Sequence, residues 1–98
     1  MEKITPPKVK VLATGTHLVA KQMAGSAGDV MPKHLADAES VLFVHEGECV
    51  IEIDGEEKIL KSGEAIVIPT QTLHQIKAIT DYSGVHIMPN DIKFQFFK

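Results

Sequence analysis

No stretch of this chain carries a 3.6-residue apolar stripe behind a helix cap, and nothing else in the sequence constrains the fold as tightly. The nearest approach to a helix, residues 32–43, has scattered apolar positions and runs straight into a β-rich stretch. Short apolar runs recur instead, at 8–13, 17–24, 40–46, 48–53, 56–60, 65–68, 74–80, 85–88 and 92–97, separated by turn residues. Val, Ile and Thr supply 25 of the 98 residues, and their branched side chains favour pleated strands over helices. Asp54-Gly55 is the strongest turn signal, because a two-residue hairpin loop of type I′ needs positive φ at both central positions. About eight or nine short strands, with turns at every eight to twelve residues, read as one all-β sandwich or barrel spanning residues 1–98.

The strands differ in how many faces they hide. Cys49, Ile51 and Ile53 alternate with Glu48 and Glu52, which gives one core face and one wet face and makes Cys49 a buried, inert thiol. By contrast, residues 41–44 and 65–68 are apolar on both faces. In a two-layer sandwich each sheet has an outer face, so two doubly apolar strands call for a cover over one of them. A second copy of the chain is the simplest cover, and a homodimer is expected. The N- or C-terminal segment is the alternative, and Phe94, Phe96 and Phe97 near the C-terminus suit either arrangement.

Charge and cysteine usage narrow the function. Lys plus Arg number 10 against 13 for Asp plus Glu, a net charge of −3 with no basic block, so no nucleic-acid partner is expected. The single cysteine cannot form an internal disulfide, which fits a reducing, cytoplasmic compartment. Residues 1–10 contain Pro6 and Pro7 and no apolar leader core, and no apolar run approaches the length of a membrane span, so no membrane role is expected. Five histidines, at 17, 34, 45, 74 and 86, are the remaining chemical resource.

Two of them stand in informative places. His34 lies six residues after Gly28 and thirteen before Gly47, and His74 lies five after Pro69, itself six after Gly63. Each stands near the start of a strand that leaves a loop marked by glycine or proline. Two such histidines from separate hairpins can converge inside a barrel and offer imidazole nitrogen to a divalent metal.

These residues resemble the two motifs of the cupin family, G-x5-H-x-H-x3,4-E-x6-G and G-x5-P-x-G-x2-H-x3-N. Gly28, His34 and Gly47 fit the first, Gly63, Pro69 and His74 fit the second, and the resemblance runs from 28 to 88. It implies a cupin-type double-stranded β-helix, a jelly-roll barrel with an internal pocket, often dimeric. It also implies a metal held by two histidines and the glutamate of the first motif and by the histidine of the second. Here the second histidine position falls on Ala36 and the glutamate on Ser40, while the glycine and asparagine of the second motif are Gln71 and Ala78. Two imidazoles fall short of the three ligands that catalytic sites use, so any divalent metal (Zn, Fe, Mn or Ni) is expected to be weakly held.

Three residues are candidates for a third ligand. His86 and His17 lie on strands whose inward-facing set the sequence leaves open, and Glu39 precedes Ser40 by one residue and would need a bulge to turn inward. The expected pocket comprises His34, Ala36, Ser40, Gln71, His74 and His86, with Met23 and Met31 near its mouth. His45 is expected outside the barrel, and Lys8, Lys10 and Lys21 are read as solvated charges. The function that follows is binding or sensing of a small molecule by a cupin barrel with a degraded metal site. The alternative is a metal-dependent oxygenase or isomerase using His34, His74 and one recruited ligand. A third reading is a barrel whose pocket is filled by its own side chains.

Overall fold

The structure is a computed structural model and describes residues 3–97. Met1 and Glu2, on which the reading of residues 1–10 partly rests, lie outside the described residues. The chain forms β1 (Lys8–Thr14), β2 (Leu18–Gly25), β3 (Lys33–Ala36), β4 (Ser40–Glu46) and β5 (Glu48–Ile53), then β6 (Glu56–Lys61), β7 (Ala65–Ile68), β8 (His74–Ala78), β9 (Tyr82–Pro89) and β10 (Phe94–Phe97). They build two five-stranded antiparallel sheets, ordered β1-β2-β9-β4-β7 and β10-β3-β8-β5-β6, with no helix among the described residues. This is the all-β jelly roll expected from the apolar runs and the motifs.

Local chemistry explains most boundaries. Asp54 and Gly55 adopt φ of 51° and 85°, so the β5–β6 hairpin turns where a type I′ loop was expected. β8 stops at Ala78, short of the apolar run, because the N–H groups of Ile79 and Thr80 both donate to the Glu48 carbonyl. The strand that the apolar runs do not show is β3, only four residues long, pinned between β10 and β8.

Leu42 and Val44 on β4, Cys49 and Ile51 on β5, and Leu60 on β6 are fully buried between the sheets. The outer face of the first sheet is also apolar. Val67, Val41, Ile87, Ala20 and Ala13 pair in one row across all five strands. Val67 and Ile87 are 53 % and 38 % exposed, as are Phe43 at 37 % and Leu18 at 54 % nearby. The C-terminal segment does not cover this row: β10 joins the opposite sheet beside β3, and the Phe94 and Phe96 rings meet His34 edge-on and at a tilt.

Candidate functional site

The site begins with the one backbone pair that joins β3 to β8, His34 opposite His74. Strand alternation turns both inward, and their rings meet edge-on with centroids 4.2 Å apart. Each leaves its loop in the same way. His34 Nδ1 lies 3.1 Å from the Pro32 carbonyl, and His74 Nδ1 lies 3.0 Å from that of Thr72, two residues back in both cases. A carbonyl only accepts, so Nδ1 carries the proton and Nε2 keeps its lone pair. His74 Nε2 is buried without a hydrogen-bond partner among the described residues.

The other sheet supplies the third imidazole. His86, on β9, pairs with Leu42 of β4 on one side and Lys21 of β2 on the other and is buried. Its Nε2 lies 2.8 Å from Ser40 Oγ, so the serine at the motif's glutamate position is engaged with a histidine that the motif does not include. Burial holds all three imidazoles below the ordinary histidine value. For His74 the neighbouring His34 adds to that effect. His86 is pushed down to about 4, by burial first and then by His74, His34 and Lys21.

A cavity of about 340 Å³ opens between the sheets beside this cluster. His34, His86 and Lys21 are its polar lining, and Met23, Met31, Ile76 and Met88 form its inner walls. Phe94 and Phe96 line it from the C-terminal strand, and Pro6 and Pro7 from the N-terminal segment. The barrel is therefore not filled by its own side chains.

The other expected residues divide clearly. Ala36 is buried on β3 and paired with Phe94, and neither it nor Ser40 lines the cavity itself. Gln71 is exposed in the loop before β8, where its N–H donates to the Ala36 carbonyl and its φ is 56°, so it braces the loop instead of facing the pocket. His17 is exposed in the turn before β2, and Glu39 is exposed ahead of β4, so neither lines the cavity with His34. His45 is outside, as expected, with Nε2 3.6 Å from Glu46. Lys21 is the correction among the lysines. It is half-buried on the cavity wall, because β2 turns Val19, Lys21 and Met23 to the inside.

A family profile for the cupin domain matches residues 23–88. The chain belongs to the cupin family. A search of curated proteins finds no match. Among solved structures, this cupin superposes on KdgF from Halomonas sp. with a TM-score of 0.79 and 25% identity, over 85% of this chain and 77% of that one. A cupin superfamily protein from Desulfitobacterium hafniense also gives 0.79, at 16% identity over 91% and 82%. A glycine-to-alanine mutant of salicylate 1,2-dioxygenase from Pseudoaminobacter salicylatoxidans, in complex with gentisate, gives 0.75 at 17% identity; the match covers 82% of this cupin but only 24% of the dioxygenase.

The metal that the cupin motifs imply does not fit the residues present. Among the described residues no group of three or more His, Cys, Asp or Glu is placed to hold a metal ion. His34 and His74 are paired across the strands and each keeps an unprotonated Nε2, but Ala36 offers no donor and Ser40 is bonded to His86. Two imidazoles alone lack the three protein ligands of a catalytic zinc or non-haem iron centre.

Proposed function

We propose that this cupin is a small-molecule-binding or sensing barrel with a degraded metal site. The observation that carries the reading is the Ser40–His86 contact of 2.8 Å: a carboxylate ligand is replaced by a hydroxyl that is already paired. An apolar cavity with a few polar groups at one side is the usual form of a small-ligand pocket. A cytoplasmic setting suits the free, buried Cys49, whose thiol burial pushes up to about 11 and so keeps unreactive. Elemental analysis of untagged protein tests the reading beside a His34→Ala/His74→Ala double variant. The expected result is sub-stoichiometric metal in both. Stoichiometric metal that disappears in the double variant would overturn it.

One observation favours the second reading, a metal-dependent oxygenase or isomerase. His74 Nε2 is buried and unpartnered, the state of a ligand awaiting a cation. For that reading His86 would have to leave Ser40 and join His34 and His74 as the recruited third ligand, and Zn, Fe, Mn or Ni would then be retained through gel filtration.

We further propose that the apolar outer row through Val67, Val41 and Ile87 is covered by a second copy of the chain. Support comes from its continuity across all five strands and from the position of β10 on the opposite sheet.

A further inference from the structure

Lys21 breaks the pattern of its own strand. On β2 the inward set is Val19, Lys21 and Met23, and the two neighbours of the lysine are 9 % and 8 % exposed. An apolar residue at the middle position would pack the barrel without any charge to solvate. A lysine there lays its stem along a cavity wall built from methionine and isoleucine and brings its charge close enough to act on the His86 imidazole, which lines the same cavity. Among the described residues Lys21 forms no ion pair with a carboxylate, and the His45–Glu46 pair lies elsewhere, on the surface. The histidines do not duplicate its role. His34 donates its Nδ1 proton to a backbone carbonyl and presents a lone pair from Nε2, which repels an anion, and His86, the other lining histidine, is held neutral with its Nε2 engaged by Ser40. Lys21 is thus the lining residue that offers a positive donor to a bound anion.

The rest of the cavity defines the body of the ligand. Apart from the imidazoles of His34 and His86, its walls give the several hydroxyls of a sugar nothing to bond, and burying a hydroxyl without a partner is costly. A dianion is equally unsuited, because a single ammonium balances one negative charge and the cavity lining contains no arginine. The space of about 340 Å³ suits one aromatic ring or a short hydrocarbon chain. Resting on the binding-barrel reading above, we propose that the cavity takes a small monocarboxylate with an apolar body and that the Lys21 ammonium holds its carboxylate.

The test uses full-length protein with labelled methionine methyl groups, because Met23, Met31 and Met88 all line the cavity and report occupancy by NMR. Benzoate, its neutral counterpart benzyl alcohol, phenyl phosphate and glucuronate are titrated in turn. The expected result is that benzoate shifts these methyl signals and binds about ten-fold or more tighter than benzyl alcohol, as a charge-assisted contact requires. Phenyl phosphate and glucuronate should bind more weakly than benzoate. Lys21→Met should remove the preference for acid over alcohol, Lys21→Arg should retain it, and Lys10→Met, at an exposed position on β1, should leave it unchanged. If benzyl alcohol binds as well as benzoate, or if Lys21→Met keeps the preference, the carboxylate assignment falls while the binding-barrel reading stands. If glucuronate or phenyl phosphate outbinds benzoate, the assignment of an apolar monocarboxylate falls. If no compound moves the methyl signals, the assignment falls and the binding reading loses its support with it.

Discussion

An unfolded imidazole titrates near pH 6.5, and the fold holds His34, His74 and His86 below that value, His86 at about 4. The folded chain therefore binds fewer protons than the unfolded chain between these limits. The stability due to neutral, buried imidazoles is complete above pH 6.5 and is lost as pH falls toward 4, at about 1.4 kcal/mol per pH unit for each proton withheld. Urea midpoints followed from neutral pH downward should drop through this window, and His86→Gln should make the decline shallower. A midpoint that stays level through the window would contradict this account. Gln71 supports a prediction of opposite sign. Its φ of 56° is a left-handed conformation that costs a side-chain-bearing residue about 1–2 kcal/mol, partly offset by the larger chain entropy that glycine gives up. Gln71→Gly should stabilise the fold by about 0.5 kcal/mol and raise Tm by about 2–4 °C in a thermal scan.

The clearest vulnerability among the elements is the β4–β5 hairpin. Gly47 has φ of 78°, and a Cβ there would run into the Asp81 carbonyl with the Cα of Tyr82 close behind, so the turn is pressed against the start of β9. Gly47→Ala combines backbone strain with a clash against main chain that cannot rotate away. A loss of about 3 kcal/mol or more is expected, read as a lower urea midpoint. The exposed Gly55, also at positive φ, has nothing within reach of an added Cβ, so Gly55→Ala should cost only the strain. The bounds of β4, β5 and β7 were legible because apolar runs and turn residues coincide there. β3 was not, because a four-residue strand between a proline loop and an acidic turn carries too few apolar positions to show a period.

For the whole molecule, the outer apolar row predicts the assembly. Val67→Glu places a charge at the β7 end of the surface that a second copy would bury, at a position with no part in the cavity. Light scattering should show a dimer for the wild type and a monomer for the variant, with the monomer still folded by circular dichroism. A wild-type monomer at high micromolar concentration would remove the dimer proposal. Deleting the C-terminal strand should instead expose the cavity, because Phe94 and Phe96 stand over His34.

The sequence by itself determined that the chain is all-β, where most turns fall, and that His34 and His74 stand at related positions where two strands leave their loops. These are local properties, set by residue type and by spacing along the chain. Only the tertiary structure decided that His86 closes on Ser40, that Gln71 braces a loop, and that Lys21 faces inward. Alternation says which residues share a face of a strand, but not which face is inside. Along β2, Val19, Lys21 and Met23 compete with Leu18, Ala20 and Gln22, and both sets contain two apolar residues and one polar one. Pairing with β9 on one side and β1 on the other chose the first set, and a register slip of one residue would have put the lysine in water.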